Sequence, residues 1–377
     1  MSIPRMSVTR LFVLLALLLG ATTARAQEPI KIGAIEILSG PNAKYGSAIR
    51  QGFDLALEEV NRAGGVRGRP LELAYEDSTG SKEQAINAAR QLIGRAKVAL
   101  ILGPTLSTEM FAVGPIANQR GVPIVGTSTT AIGITDIGPF VFRTSLPEAD
   151  VIPVTLRAAR DGLGVKRVAV LYGRDDAFTK SAYDVMKAAL EKLGIEVVAT
   201  ETFGAKDADF SAQLTKVKSL APDAVVVSAL ADAGAGILLA KKALGFPESV
   251  RFIGGNGMNS PTVLSIAGPA ADGLLVGSPW FVGKEDALNV AFIKAYREKY
   301  GADPDQFAAQ AYDTLKIVAA ALAAAPDLTG DAIRQALQNV KIEGVTGSFA
   351  FDPSRSPAIA SGVLVLEARG GKFAILK

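Results

Sequence analysis

Residues 98–109 read VALILGPTLSTE, and this stretch decides the fold because it joins an apolar strand to a polar turn. Its first five residues are all apolar, without the alternation that a half-exposed strand shows. A continuous apolar strand is typical of a parallel sheet that helices cover on both faces. The polar residues that follow would then lie at the carboxyl end of the strand, where open α/β sheets bind their ligands.

Short apolar strands alternate with helical segments on both sides of this stretch. The first series predicts strands at residues 30–37, 71–75, 98–102 and 123–125 and helices at 49–63, 82–95 and 109–119. The second series predicts strands at residues 167–172, 196–202, 224–228 and 251–253 and helices at 180–193, 210–220 and 235–244. Such alternation indicates an α/β fold with a doubly wound sheet, and two series indicate two Rossmann-like lobes.

The rest of the chain predicts how the lobes are connected. Residues 140–145 lie between the two series and predict a crossover. After a strand at 274–278, helices at residues 287–300, 304–324 and 331–337 indicate a return to the first lobe, before strands near 347–351, 362–366 and 373–376. We assign residues 27–145 plus 279–345 to an N-terminal lobe and 146–278 plus 346–377 to a C-terminal lobe. Several crossovers at a hinge favour a cleft that opens and closes.

Residues 1–26 have the composition of a secretory signal peptide. Arg5 and Arg10 precede an apolar run at residues 11–19, and Ala24-Arg25-Ala26 gives a small-residue cleavage site. The alternative, a membrane anchor, conflicts with the shortness of the run, because the hydrocarbon core of a bilayer is about 30 Å thick. We expect cleavage after Ala26 and a mature protein in the periplasm that is not inserted in the membrane.

The composition excludes several classes of function. The chain has no cysteine and no histidine, which removes Ser-His and Cys-His catalysis and the usual zinc ligand sets. It has 40 Lys and Arg against 37 Asp and Glu, and loss of the three leader arginines leaves 37 of each. A near-neutral chain gives no electrostatic case for binding nucleic acid. We expect no metal, no cofactor and no catalytic residues.

Three polar segments follow predicted strands of the first lobe, at residues 38–46, 103–109 and 126–136. Ser107 or Thr108 is placed to cap the next helix, where free N–H groups and the helix dipole favour an anion. The run Thr127-Ser128-Thr129-Thr130 adds hydroxyl and N–H donors at the same sheet edge. One interpretation is a small carboxylate held by three or four neutral donors. The alternative is ordinary capping and turn chemistry.

Short motifs occur in a fixed order along residues 28–377. They include Leu38-Ser39-Gly40-Pro41, residues 61–70 (NRAGGVRGRP), Gly121-Val122-Pro123-Ile124, Phe142-Arg143-Thr144, residues 167–172 (RVAVLY) and Pro222-Asp223-Ala224-Val225. In this set the chain resembles the periplasmic leucine/isoleucine/valine-binding proteins, which are type I solute-binding proteins of ABC importers. The resemblance implies two lobes joined by three crossovers, a ligand in the cleft between them, and a membrane permease as partner.

The resemblance also implies roles for individual residues of the first lobe. Ser107 and Thr130 would hold the carboxylate of an α-amino acid. The main-chain carbonyl of Thr129 would accept from the ammonium group, and Tyr45 would cover the ligand.

The second lobe departs from the family pattern at several positions. Phe178 stands where a tyrosine is usual, and Asn256 stands where an acid usually pairs with the ammonium group. A buried ammonium group without a charged partner is costly, so either Asp232 substitutes for the missing acid or the ligand lacks an amine. Leu230 replaces what is often an aromatic residue and predicts an aliphatic wall.

We therefore expect a non-enzymatic solute-binding protein for a branched-chain or hydrophobic amino acid. The alternative ligand is an aromatic or 2-oxo carboxylate without an amine, which Asn256 and Phe178 favour. A ligand sensor for a membrane receptor is a further alternative, because one fold can serve both roles. A secreted enzyme would have to work without His or Cys, and neither G-x-S-x-G nor G-x-x-x-x-G-K-[ST] occurs in the chain.

Overall fold

A computed structural model describes residues 28–358 and 362–376. The predicted signal peptide lies outside the described residues. The first sheet is formed by strands β1 (Ile30–Glu36), β2 (Leu71–Asp77), β3 (Ile101–Leu102), β4 (Ile124–Gly126) and β5 (Val141–Arg143). Their order is β2-β1-β3-β4-β5, and every neighbouring pair is parallel.

The remaining strands form a hairpin and a second sheet. The hairpin consists of β11 (Lys341–Gly344) and β12 (Gly347–Ala350). The second sheet contains β6 (Arg167–Gly173), β7 (Glu196–Phe203), β8 (Ala224–Ser228), β9 (Arg251–Gly254), β10 (Leu274–Ser278), β13 (Leu364–Arg369) and β14 (Lys372–Ile375). Its order is β14-β13-β10-β9-β8-β6-β7, with β13 antiparallel to both of its neighbours.

Helices cover both sheets and make the central strands inaccessible to water. They are α1 (Ala43–Arg62), α2 (Lys82–Gln91), α3 (Ser107–Gln119), α4 (Glu148–Leu163), α5 (Ala177–Leu193), α6 (Ser211–Ser219), α7 (Ala231–Ala243), α8 (Pro261–Ala267), α9 (Ala287–Tyr300), α10 (Gln306–Ala324) and α11 (Gly330–Asn339). Strands β8 and β10 are buried at every residue, as expected of parallel strands between two helical layers. None of the described helices is long and apolar enough to cross a membrane.

The lobes are built from interleaved parts of the chain. Helix α10 follows the second sheet in sequence but packs against α1, beside the first sheet. Strands β13 and β14 then return to the second sheet. The chain therefore passes between the lobes three times, after β5, after β10 and before β13. This arrangement confirms the predicted α/β architecture of two doubly wound lobes.

The predicted lobe boundary at residue 345 falls in the turn between β11 and β12. Beyond that turn, Phe351 packs on Phe142 of β5, with ring centroids 5.1 Å apart. The side chain of Arg143 donates to the Ser356 hydroxyl at 2.9 Å. Residues up to Ser356 thus contact the first sheet, although the residue limits of each lobe stay a prediction.

Several helices begin earlier than the sequence predicts. Helix α1 begins at Ala43 rather than residue 49, α3 at Ser107 rather than 109, α5 at Ala177 rather than 180, and α7 at Ala231 rather than 235. In α1 the sequence misleads because Gly46 looks like a helix breaker. Its Cα in fact lies against β1, so that an added Cβ would be 2.0 Å from the oxygen of Ile37. Segments predicted as loops are therefore the first turns of helices.

Gly52 marks the closest approach of α1 and α10, because an added Cβ would lie 2.2 Å from the main-chain oxygen of Ala308. Substitution of alanine must push the two helices apart. We expect Gly52→Ala to lower the free energy of unfolding by about 1–3 kcal/mol, as overpacking does, measured by urea denaturation. The matched control is Gly94→Ala, whose added Cβ meets nothing within 4 Å. Equal stability of the two variants would contradict the tight contact.

Candidate functional site

A cavity of about 20 Å³ lies between the two lobes. Its lining residues are Tyr45, Thr105, Leu106, Ser107, Ser128, Phe178, Leu230, Asn256, Gly257 and Phe307. Several of them follow the carboxyl ends of strands β3, β4, β8 and β9, which is where parallel sheets bind ligands. That volume is far below the range of about 300–1,000 Å³ for ligand pockets and holds about one water molecule, so the closed cleft has to open for a ligand to enter.

Two larger depressions lie elsewhere on the second lobe, around Asp223 and Arg251. These residues stand at the amino ends of β8 and β9. That edge of a parallel sheet is not the one that binds ligands, and only one lobe contributes to the depressions. The cavity between the lobes is therefore the candidate site.

The first turns of several helices meet at this cavity. Tyr45, Ser107, Phe178 and Phe307 belong to the first turns of α1, α3, α5 and α10, and Leu230 directly precedes α7. Each first turn carries N–H groups that the helix itself leaves unpaired, together with the positive end of the helix dipole. Helices from both lobes thus give the cavity a positive potential without a charged side chain, which favours an anion.

The first-lobe wall consists of Thr105, Leu106, Ser107 and Ser128. Ser128 donates its hydroxyl proton to the Thr105 carbonyl at 2.6 Å. The Ser107 oxygen accepts from the Ala131 N–H at 3.3 Å, which leaves the hydroxyl proton available to a ligand. Leu106 is the residue before α3, and Ser107 is its first helical residue, so the predicted N-cap was placed one or two residues too late.

Thr129 and Thr130 are buried and do not line the cavity. The Thr129 side chain folds back over Gly126, where an added Cβ would lie 2.0 Å from its hydroxyl oxygen. Neither hydroxyl has a hydrogen-bond partner among the described residues. The main-chain oxygen of Thr130 accepts from the Glu148 N–H at 3.3 Å.

Two buried carboxyl groups lie behind the first-lobe wall. Glu36 accepts a 2.5 Å hydrogen bond from the Thr105 hydroxyl, and Glu109 accepts from the Leu106 N–H at 3.1 Å. Burial raises the pKa of Glu109 to about 7 and the pKa of Glu36 well above its usual range. Because both groups resist ionisation, they oppose an anion in the cavity less than two exposed carboxylates would.

The second-lobe wall consists of Phe178, Leu230, Asn256 and Gly257. Asn256 is fixed on both sides, because its side-chain oxygen accepts from Gln306 at 2.9 Å and its N–H donates to Glu148 at 2.9 Å. Tyr45 and Phe307 close the cavity from the first lobe, with ring centroids 4.8 Å apart. The apolar part of the cavity is thus aliphatic and aromatic, as Leu230 and Phe178 predicted.

Hydrogen bonds between the lobes hold the cleft closed, and we call this set the seam. The Tyr45 hydroxyl donates to the Gly257 carbonyl and accepts from the Ala231 N–H at 2.7 Å. Thr108 donates to Asp176 at 2.6 Å and accepts from the Ala177 N–H at 2.9 Å. At the rim, the Asn42 N–H donates to Asp232 at 3.3 Å, and the Ile132 N–H donates to Ser181 at 2.8 Å.

The structure assigns Thr108 and Asp232 to the seam rather than to the cavity. Asp232 is exposed in the first turn of α7, and its carboxylate accepts from the Asn42 N–H. It is therefore badly placed for the suggested role as partner of a buried ammonium group. Four residues of the lining were not predicted from the sequence: Thr105, Leu106, Gly257 and Phe307. Glu148, a buried acid beside Asn256, was not predicted either, because no short motif distinguishes it.

Two lobes that close over a small cavity define a ligand-binding protein of the hinged-cleft type. A family model described as periplasmic binding protein matches residues 29–372, and the chain belongs to this family. The predicted family is confirmed. The family consists of solute-binding proteins for ABC transporters, and this confirms the expectation that the chain is not an enzyme.

Three relatives illustrate the range of the similarity. The leucine-, isoleucine-, valine-, threonine- and alanine-binding protein of Pseudomonas aeruginosa is 29% identical, over 92% of this chain and 91% of its own length. The structure of LivJ from Streptococcus pneumoniae with isoleucine is 28% identical, with a TM-score of 0.86 over 92% of this chain and 99% of LivJ. A Rhodopseudomonas palustris BisB5 solute-binding protein in complex with 3,4-dihydroxybenzoic acid is 25% identical, with a TM-score of 0.83 over 92% and 95%.

Tyr45 gives a direct test of the seam, because its hydroxyl bonds two main-chain groups of the other lobe. Loss of these bonds in Tyr45→Phe should favour opening by about 1–1.5 kcal/mol. We expect roughly tenfold faster hydrogen exchange at the amides of Asn42, Ile132, Ala177 and Ala231, which all donate across the seam.

The matched control is Tyr75→Phe, which removes a hydroxyl that bonds Asp54 within the first lobe. This variant should leave the exchange of the seam amides unchanged. If Tyr45→Phe accelerates exchange at Ala231 alone, the seam does not open as one unit.

Proposed function

We propose that the chain is the solute-binding component of an ABC importer and captures a small carboxylate between its lobes. The ligand we propose is a branched-chain or other hydrophobic amino acid. The observation that carries this proposal is the pairing of a hydroxyl-bearing wall at helix N-termini with an apolar wall in one small cavity. The Pseudomonas aeruginosa and Streptococcus pneumoniae relatives, described as binding such amino acids, support it.

The polar wall suits a carboxylate. Ser107 offers a hydroxyl proton at the start of α3, where main-chain N–H groups are also free. Hydrogen bonds from neutral donors to an ionised acceptor are shorter and stronger than those between neutral groups. A carboxylate can therefore bind without a cationic side chain, in keeping with the cavity lining, which contains no Lys or Arg.

The apolar wall suits a short hydrophobic side chain. Phe178, Leu230 and Phe307 line the same cavity as Ser107 and Ser128. Burial of a leucine or isoleucine side chain against such groups contributes about 1.5–3 kcal/mol. A ligand the size of a single amino acid would fit among these side chains only with the lobes slightly further apart.

An amine-free aromatic acid is the second candidate ligand. The Rhodopseudomonas palustris relative binds 3,4-dihydroxybenzoic acid, and Asn256 is neutral where an acid was expected. The same carboxylate wall would serve such a ligand, and Phe178 could stack on its ring. This candidate differs from the first in having no ammonium group and in carrying an aromatic ring.

The proposal includes a membrane permease as partner and the periplasm as compartment. Both follow from the family and from the predicted signal peptide. A role as ligand sensor for a membrane receptor would use the same fold and cavity. Genes for a permease and an ATPase next to the gene for this chain would favour import, and a receptor gene in that place would favour sensing.

The first experiment is a thermal-shift screen of residues 27–377, refolded to remove any carried-over ligand. A ligand at 100 times its dissociation constant stabilises a protein by about 2.7 kcal/mol, which is easily measured. Leucine, isoleucine, 4-methyl-2-oxopentanoate and benzoate form the basic panel. The lack of a shift with every small carboxylate would refute the proposed ligand class.

Ser107→Ala tests the carboxylate wall. Removal of a hydrogen bond to a charged group costs about 1.5–3 kcal/mol. We expect the dissociation constant of whichever carboxylate binds to rise by roughly ten- to a hundredfold in isothermal titration calorimetry. Ser219→Ala is the control, because Ser219 ends α6 and bonds only to the nearby Lys216 carbonyl. Unchanged affinity in Ser107→Ala would remove Ser107 from the site.

A further inference from the structure

We propose that the carboxylate of Glu148 pairs with the ammonium group of the ligand, so that the site selects amino acids over amine-free acids of the same shape. This inference rests on the proposed function, since it names the class of solute that the cavity takes. In this inference Glu148 provides the negative charge that the neutral Asn256 lacks. Asp232 does not provide it, because its side chain is exposed at the rim.

Glu148 is held between the two lobes. It is the first residue of α4, directly after the first chain passage between the lobes. Its N–H donates to the Thr130 carbonyl at 3.3 Å, and its Oε1 accepts from the Asn256 N–H at 2.9 Å. The carboxylate therefore lies against Asn256 of the second-lobe wall and next to the threonine run that continues from Ser128 of the first-lobe wall.

The second carboxylate oxygen of Glu148 lacks a partner. The residue is 1% exposed, and its Oε2 makes no hydrogen bond within the described residues. Nearby, the Thr130 hydroxyl oxygen is also buried and unpaired. Buried polar groups are nearly always paired, so two unpaired oxygens just behind the lining residue Asn256 indicate a missing donor. An ammonium group offers three donors and a positive charge.

Protein groups do not provide that positive charge. Helix α5 packs on α4 through Phe178, Ala182 and Met186, and β10 packs on it through Gly277. The loop after β9 contributes Asn256. None of these side chains can titrate. Strand β13 also contacts α4 and carries Glu367, which is paired with Arg251 and Arg369. Asp150 lies two residues further along α4; burial raises its pKa, and the Arg143 guanidinium limits that rise.

Other acids near the cleft already have partners or lie elsewhere. Asp176 accepts from Thr108 and from the Thr179 N–H. Asp232 is exposed at the rim. Glu36 and Glu109 each also have one buried oxygen without a partner among the described residues, but they lie behind the hydroxyl-bearing first-lobe wall, with Thr105 and Leu106 between them and the cavity.

Ammonium binding should depend on pH in a defined direction. Burial raises the pKa of the Glu148 carboxyl to about 7. An ammonium group binds the ionised form, so it must lower that pKa in the complex. Below pH 7 the empty site carries a proton that the ligand has to displace, and affinity should fall by about tenfold per pH unit. For an amine-free acid the sign reverses, because a protonated Glu148 no longer repels the ligand.

The test compares leucine with 4-methyl-2-oxopentanoate, which has the same carbon skeleton without the amine. Calorimetric titrations of wild type and Glu148→Gln are made between pH 5.5 and 8.5. We expect wild type to prefer leucine at pH 8 and to bind it more weakly as pH falls. In Glu148→Gln, leucine affinity should drop at least tenfold at pH 8 and lose this pH dependence, whereas the oxo acid should bind as well or better.

Two further variants serve as controls. One tests whether removal of any buried carboxyl group has the same effect, and the other tests whether the effect is due to unfolding. Glu109→Gln removes another buried carboxyl with a raised pKa and should keep the leucine pH profile. Glu148→Asp keeps the charge on a shorter side chain and should retain part of the preference for leucine, which gives a second measurement if Glu148→Gln unfolds.

The outcomes separate this inference from the proposed function. Equal loss of leucine and oxo acid in Glu148→Gln would show a purely structural role and overturn the inference alone. A wild type that binds the oxo acid or benzoate but not leucine would also overturn it, and would leave the carboxylate site standing. If no small carboxylate binds wild type, both the inference and the proposed function fail.

Discussion

The direction of the parallel strands is the constraint on which the rest of the structure depends. In a parallel sheet every connecting helix begins at the carboxyl edge of the strands, so the helix N-termini of one lobe collect at one edge. Here the corresponding edges of two lobes face each other. The cavity, its positive potential, the seam and the position of Glu148 all result from that arrangement. An anion-binding cleft can therefore form without any Lys or Arg in its lining.

The closed arrangement is finely balanced. The seam gains several hydrogen bonds, each of which contributes about 0.5–1.5 kcal/mol net. The same closure buries oxygens of Thr130 and Glu148 that lack partners in the protein, at a cost of about 1–3 kcal/mol each. These terms are of similar size, so closure by itself is close to neutral. A ligand that supplies the missing donors shifts the equilibrium by its higher affinity for the closed form.

Local pattern was sufficient to predict the two series of strands and helices, the return of the chain to the first lobe, and the family. It also identified six residues of the cavity lining, because polar or aromatic residues directly after a strand are recognisable in sequence. The helix starts were misjudged where a tertiary contact replaces a local signal, as at Gly46 against β1. Glu148 and Phe307 could not be found in this way, since only the folded lobes bring Phe307 into the cavity lining and Glu148 against Asn256. Asp232 was suggested as the partner of the ammonium group because the sequence shows its distance from a strand but not the direction of its side chain.

The interleaving of the lobes has a consequence for how the molecule is made. A ribosome or export channel releases the chain from its N-terminus, yet the first lobe lacks its packing partner α10 until residues 306–324 have emerged. The second sheet lacks its edge until β14 is complete at Ile375. Neither half can reach its native state during most of synthesis, and the decisive contacts join distant parts of the chain, which makes folding slow. Slow folding of this kind is compatible with the export that the predicted signal peptide implies.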